Sequence, residues 1–132
     1  MTNLIVIIAL TIFGEAAGEP FDGKQAVASV IWNRAGGDVA KMEAVCKARK
    51  QFSCWNNGKT PTVPTDRQSR LAWRDCVMLA DAIADGWFTP WSTATHYYAP
   101  ARVTKPPYWV RSMRLVAIIG GHRFYVKKVA TK

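Results

Sequence analysis

Acidic residues are scarce in this chain. Nine Asp and Glu residues stand against 18 Lys and Arg residues in a length of 132, which gives a formal net charge of +9 at pH 7. Few carboxyl groups are therefore available for acid–base chemistry or for binding cations. The excess of positive charge favours an anionic partner instead, such as nucleic acid, a membrane surface or an acidic wall polymer.

Cysteine is also rare, and its spacing argues against two classes of site. Cys46, Cys54 and Cys76 are odd in number and lack the paired spacing of zinc sites. With two histidines and no HExxH motif, we expect neither a metal nor another cofactor. An odd number also argues against a disulfide scaffold and indicates reduced thiols, as in proteins made in the cytoplasm.

Long hydrophobic runs are absent from the sequence apart from residues 4–10. This run is too short to span a bilayer, no Lys or Arg precedes it, and no clean small-x-small cleavage site follows it. We therefore expect a buried core helix, no stable membrane insertion and no clear signal peptide. Export through this segment as a signal-anchor is the alternative.

The remaining composition, 49% hydrophobic and 20% charged, is typical of a globular protein, and the length suits one domain over residues 1–132. A Thr65–Gln68 capping box opens the longest predicted helix. Apolar periodicity predicts helices over 3–15, 21–34, 38–47 and 65–85. Strands are predicted over 95–100, 115–119 and 122–126. The expected fold class is α+β, mainly helical with a small antiparallel sheet near the C-terminus.

Glu15 lies where the first apolar helix gives way to backbone rich in Ala and Gly. A carboxyl at the edge of a core loses hydration, which favours its protonated form. A protonated carboxyl near neutral pH is what protonation of a glycosidic oxygen requires. Gly14 and Gly18 would let a bulky substrate approach the backbone closely. The same residues are equally consistent with a Glu15 that only caps or flanks the end of the helix and has no catalytic role.

Glu19 and Asp22 share this turn with Glu15, whereas the other six acidic residues fall at predicted helix caps or on helices. Glu15 and Glu19 are close in sequence, which is poor geometry for two carboxyls on opposite faces of a sugar. A mechanism with one carboxylate fits better. In it, one Glu protonates the leaving oxygen and then takes a proton from a hydroxyl of the substrate itself.

Two other functions remain open from the residues. Cys54 with His96 or His122 could form a peptidase that cuts peptidoglycan peptides, although no convincing helix follows Cys54 to lower its pKa. The basic and aromatic residues could also serve a nucleic-acid-binding module, although they are dispersed and form no recognisable motif.

Four motifs occur in order along most of the chain. They are GEAAGEPFDGKQAVASVIWNRA at 14–35, QFSCW at 51–55, ATHYYAP at 94–100, and IGGHRFY at 119–125, the last preceded by Trp109. Together they resemble the SleB-like family of cell-wall hydrolases, whose founding members degrade spore cortex. The resemblance implies a lysozyme-related domain that cleaves the MurNAc–GlcNAc β-1,4 bond of peptidoglycan. It further implies a lytic transglycosylase, which leaves 1,6-anhydro-MurNAc ends.

The resemblance also assigns roles to residues. The family's catalytic acid and base corresponds to Glu15, and the second Glu of the motif, Glu19, is interpreted as structural or supporting. The motif positions expected to line the substrate groove are Glu19, Phe52, Ser53, Thr95, His96, Tyr97 and Tyr98. From the residues alone, an aromatic set is expected to stack on sugars, with about half of its members structural. This set comprises Phe52, Trp55, Tyr97, Tyr98, Trp109 and Tyr125.

Two features depart from the family pattern. Ala17 stands where the opening motif usually has a basic residue, and no separate wall-binding domain is expected. A short, basic form without a signal suggests a phage-type endolysin that a holin releases, with the charge of +9 holding it to an anionic wall. We expect a monomer that acts on peptidoglycan glycan strands, with no nucleic acid partner.

Overall fold

The computed structural model describes residues 3–48, 52, 54–55 and 61–128. Helices come first and strands last. The helices are α1 Asn3–Ala16, α2 Phe21–Arg34, α3 Met42–Lys47 and α4 Arg67–Ala84. The strands are β1 His96–Tyr98, β2 Met113–Ile119 and β3 His122–Lys127. Short 3-10 turns are formed by Val39–Lys41, Pro100–Arg102 and Tyr108–Ser112. The predicted α+β arrangement is confirmed.

Helix α1 lies at the centre of the molecule, in contact with α2, α3 and α4. Ile8, Ala9 and Ile12 have no exposed surface, and the helix is apolar on nearly all sides. A helix of this kind is stable only when neighbours cover it all round. The expectation of a buried core helix is confirmed. In the described part of the chain, no helix combines the length and apolar character needed to cross a membrane.

Element boundaries differ from the sequence expectation at two helix starts. Helix α4 begins at Arg67, and the side chain of Asp66 caps it by accepting the Ser69 N–H at 2.9 Å. The predicted Thr65–Gln68 capping box is therefore wrong, because Asp66 supplies the acceptor one residue later. The third helix is preceded by a 3-10 turn, which Asp38 caps as expected by accepting the Ala40 N–H at 3.0 Å.

The three strands form an antiparallel sheet in the order β1-β3-β2. Strand β1 is shorter than the predicted 95–100, because Pro100 opens a 3-10 turn. Tyr97 pairs with Phe124 in the register, and both side chains face the helices. Their neighbours Tyr98 and Tyr125 face the opposite side, as the alternation along a strand requires.

The β2–β3 turn packs against the turn between α1 and α2. Gly120 has a φ of +54°, and a Cβ at this position would lie 2.6 Å from Glu19 Oε1. The same oxygen accepts hydrogen bonds from the hairpin, so it cannot move aside without breaking them. Glycine at this position therefore satisfies both a backbone and a packing requirement.

We predict that Gly120→Ala destabilises the fold more than Gly36→Ala does. Gly36 has a similar φ of +62°, but a Cβ there would meet nothing within 4 Å. The Gly36 variant should cost about 1 kcal/mol of unfolding free energy, from backbone strain alone. The Gly120 variant should cost about 2–4 kcal/mol, because it also displaces Glu19 from its partners. Urea unfolding measures both, and equal losses would contradict the proposed packing of Glu19.

Candidate active site

A cavity of about 260 Å³ opens beside the C-terminal end of α1. Its walls are the turn from α1 to α2, the residues that follow β1, and the start of β3. The charged or polar side chains that line it are Glu15, Glu19, Arg102 and His122. Glu15 and Glu19 are the acidic members among the described lining residues, and Gly18 leaves the rim open, since a Cβ there would meet nothing within 4 Å.

Glu15 is held by a tyrosine of the sheet. The Tyr97 hydroxyl donates a hydrogen bond of 2.6 Å to Glu15 Oε1. Burial, and then the charge of Glu15, hold the pKa of Tyr97 well above its usual value. Tyr97 therefore keeps its proton and remains a donor to the carboxylate. This bond joins the last turn of α1 to the middle of β1.

Arg34, in the last turn of α2, lies near this pair. Its Nε donates to the Thr95 carbonyl at 2.6 Å, and its guanidinium lies 5.0 Å from the centre of the Phe52 ring. Its Nη1 is buried without a hydrogen-bond partner among the described residues. Burial lowers the pKa of Arg34, while Tyr97 and Glu15 act in the opposite direction. The guanidinium charge therefore interacts electrostatically with Tyr97 and Glu15.

Neighbouring Asn33 fixes the approach to β1. Its Nδ2 donates to the carbonyls of Ser92 and Ala94, each at 2.8 Å. Together with Arg34, it ties the end of α2 to the chain that leads into the strand. The sequence alone does not predict these contacts, since about 60 residues separate the partners. The place of Asn33 and Arg34 at the end of the opening motif is the only sign of their importance in the sequence.

Glu19 connects the α1–α2 turn to the hairpin. Its Oε1 accepts the Gly121 N–H at 2.9 Å and lies 2.9 Å from His122 Nδ1. Because an ionised carboxylate can only accept, His122 must donate through Nδ1. Lys24 Nζ donates to the Glu19 carbonyl. These contacts give Glu19 a structural role at the edge of the cavity, which agrees with its interpretation as a supporting residue.

The described residues of the second motif, Phe52, Cys54 and Trp55, do not line the cavity. Phe52 has no exposed surface and packs near Tyr97, so the expectation that it contacts substrate is wrong in this structure. Trp55 donates from Nε1 to Thr11 Oγ1 at 2.8 Å on the flank of α1, and it does not line the cavity. Ser53 lies outside the described residues.

Gly14 has a different role from the one expected. A Cβ on Gly14 would lie 2.6 Å from Cys54 Cβ and 2.9 Å from its Sγ. The close approach that glycine permits is therefore used by the chain itself, which packs residues 54–55 onto the end of α1. Gly18 is the glycine that lies at the cavity.

The remaining predicted residues form a cluster on the outer face of the sheet. The rings of Tyr98 and Tyr125 stack with their centroids 6.0 Å apart. The Trp109 ring lies edge-on to both Tyr125 and His96, with centroid distances of 5.3 Å and 5.0 Å. Tyr98 and Tyr125 are buried there, and none of the four lines the Glu15 cavity. Thr95 acts through its backbone, which accepts from Arg34 and donates to the Tyr125 carbonyl at 3.0 Å.

Cys54 lies close to Glu15 but is poorly suited to be a nucleophile. Burial, followed by the charge of Glu15, raises the pKa of the Cys54 thiol to about 12. The Nδ1 atoms of both histidines have other partners, because that of His122 contacts Glu19 and that of His96 contacts Thr95. A thiol with so high a pKa is protonated at neutral pH, and no described histidine is hydrogen-bonded to it.

Comparisons with known proteins show which proteins this chain is similar to. The model of a family described as Cell Wall Hydrolase matches residues 18–125. The spore cortex-lytic enzyme of Oceanobacillus iheyensis is 32% identical over 124 residues, covering 92% of this chain and 41% of that protein. Its counterpart in Bacillus subtilis is 32% identical over 124 residues, covering 92% of this chain and 37% of that protein. The chain thus spans about two fifths of the length of these curated relatives.

Two solved structures share the fold. One is the catalytic domain of the germination-specific lytic transglycosylase SleB from Bacillus anthracis, with a TM-score of 0.67, 24% identity and coverage of 96% of both chains. The other is the catalytic domain of Bacillus cereus SleB, with a TM-score of 0.64, 25% identity and coverage of 94% of this chain and 90% of that one. The predicted lysozyme-related α+β fold is confirmed. With a family model that matches most of its length, this chain belongs to the SleB-like family of cell wall hydrolases.

Proposed function

We propose that this chain cleaves the MurNAc–GlcNAc β-1,4 bond of peptidoglycan as a lytic transglycosylase, with Glu15 as acid and then base. The observation that carries the proposal is the Glu15 carboxyl, held by Tyr97 at 2.6 Å in an open cavity. Both solved relatives are SleB catalytic domains, and one is described as a lytic transglycosylase. These descriptions and the position of Glu15 in the cavity support the same reaction for this chain.

In the first step, protonated Glu15 gives its proton to the glycosidic oxygen. The bond between MurNAc C1 and that oxygen breaks, and GlcNAc leaves with a free 4-hydroxyl. Positive charge develops at C1 and on the ring oxygen, and the newly formed carboxylate stabilises it. The Tyr97 hydroxyl stabilises the same carboxylate as it forms, because it donates to Oε1.

In the second step, Glu15 takes the proton of the MurNAc 6-hydroxyl. The oxygen of that hydroxyl bonds to C1, which closes the 1,6-anhydro ring and returns Glu15 to its protonated form. The nucleophile belongs to the substrate, so no water and no second carboxylate are required. The reaction therefore needs one carboxyl that changes from acid to base without moving.

The position and hydrogen bonds of Glu19 support a mechanism with a single carboxylate. Glycosidases that use two carboxyls place them on opposite sides of the scissile bond. Glu19 lies at the same cavity wall as Glu15, and its Oε1 is engaged by Gly121 and His122. Asp22 is exposed in the first turn of α2 and does not line the cavity. Neither residue is arranged to activate a water opposite Glu15.

We further propose the setting of this activity. The chain acts as a monomer on glycan strands of the wall, as a phage-type endolysin does after release from the cytoplasm. The net charge of +9 supports this setting, because a basic protein accumulates at an anionic wall.

We predict that Glu15→Gln lowers the release of soluble fragments from purified peptidoglycan by about two to four orders of magnitude. The amide keeps the shape of the side chain but cannot donate the proton. Asp22→Asn is the matched control, since it makes the same change at an exposed carboxyl in the next helix. Circular dichroism checks that each variant is folded.

Cys54→Ser belongs in the same experiment, because it separates the glycosidase from a cysteine peptidase. If the chain is a glycosidase that uses Glu15, Cys54→Ser should release fragments at the wild-type rate. Full activity of Glu15→Gln together with loss of activity in Cys54→Ser would contradict the proposal and indicate a peptidase.

Tyr97→Phe tests whether the hydrogen bond from the Tyr97 hydroxyl assists Glu15 in the reaction. The variant keeps the ring that packs on Phe124 at 5.6 Å but removes the donor to Glu15. We predict that kcat falls about tenfold while KM changes little, because Tyr97 does not line the cavity. Tyr108→Phe, at a side chain that is 93% exposed, is the control for removing a hydroxyl. An unchanged kcat, or a loss confined to KM, would show that the hydroxyl does not act on Glu15.

A further inference from the structure

Charge is distributed unevenly along this chain. All nine acidic residues lie within residues 1–85, whereas residues 86–132 contain eight basic residues and no acidic one. The second stretch forms the sheet and the turns around it. The side of the cavity opposite Glu15 is therefore built from a segment that carries positive charge only.

Two arginines bring this charge to the cavity region. Arg102 lines the Glu15 cavity, and Arg123 lines a second cavity of about 220 Å³. The two cavities share Ala101, Gly121 and His122 as wall residues, so they adjoin each other. None of the described residues that line the second cavity is acidic.

Both arginine side chains are exposed, and neither forms an ion pair with a described residue. Glu19 is the nearby carboxylate of the α1–α2 turn, and it is engaged by His122 at 2.9 Å. A guanidinium presents paired donors that match a carboxylate, and it stays charged at all physiological pH values. The Arg123 guanidinium also contacts the Tyr125 side chain, but a guanidinium has five N–H donors, and neither arginine has a carboxylate partner among the described residues. Both side chains therefore keep donors for an anionic group of a ligand.

We propose that Arg102 and Arg123 form a carboxylate-binding subsite for the stem peptide of the glycan strand in the Glu15 cavity. This inference rests on the proposed function. The stem peptide branches from MurNAc, the sugar whose C1 reacts at Glu15, and it carries free carboxylates. A branch that leaves the first cavity past Ala101 and Gly121 enters the second, where Arg123 lies. A free anionic wall polymer has no such link to the sugar at Glu15.

The test compares two substrates: glycan strands that carry stem peptides, and the same strands after an amidase has removed the peptides. For the wild-type protein, kcat/KM should be higher on the peptide-bearing strands. Arg123→Gln should lower that preference about fivefold, which is the scale of one exposed ion pair, and adding Arg102→Gln should lower it further. Raising the salt concentration should shrink the wild-type preference, because exposed charges are screened.

Arg67→Gln is the matched control. Arg67 is exposed at the start of α4, outside both cavities, and its loss changes the net charge by the same amount. It should keep the wild-type preference. If Arg67→Gln lowers the preference as much as Arg123→Gln does, net charge rather than a subsite is responsible, and the inference is wrong.

The remaining outcomes separate this inference from the proposed function. Equal wild-type kcat/KM on the two substrates would overturn the subsite while leaving the glycosidase intact. No cleavage of either substrate would contradict the proposed function itself. An effect of Arg123→Gln seen only on whole walls that carry phosphate polymers, and not on purified strands, would assign the arginines to those polymers and also overturn the subsite.

Discussion

The hydrogen bond from Tyr97 to Glu15 fixes the carboxyl on which the proposed reaction depends. It connects the end of a buried helix to the middle of a strand more than 80 residues later, at 2.6 Å. Helix α1 is packed against three other helices, and the strand cannot shift without moving Phe124 in the core. A carboxyl fixed in this way changes between acid and base without reorganising its surroundings, which is what a mechanism with one carboxylate requires.

Two sets of polar contacts bring the sheet to the helices. On one side, Asn33 and Arg34 bind the backbone that leads into β1. On the other, Glu19 binds the start of β3 through Gly121 and His122. The first set joins side chains at the end of α2 to backbone carbonyls, and the second joins the Glu19 carboxylate to a backbone N–H and to the His122 side chain. The cavity lies between them, so its shape depends on both.

The sequence predicts much of this fold for identifiable reasons. The apolar run of α1 and the periodicity of α4 predict helices, and the motif around Glu15 identifies the carboxyl. The sequence does not predict the long-range partner of Arg34, because no local pattern indicates a contact with Thr95, which lies 61 residues later. Alternation predicts that Tyr97 and Tyr98 face opposite sides of the sheet, but not which one faces Glu15. Phe52 belongs to a motif and yet is buried, since its ring supports Arg34 rather than a sugar.

Digestion of purified peptidoglycan in water enriched in ¹⁸O distinguishes a transglycosylase from a hydrolase. A lytic transglycosylase closes its ring with an oxygen of the substrate, so the MurNAc ends should be one water lighter than reducing ends and should contain no ¹⁸O. A hydrolase takes its oxygen from the solvent. Reducing MurNAc ends that carry ¹⁸O would contradict the account, because they would require a water held opposite Glu15 and a second carboxylate to activate it.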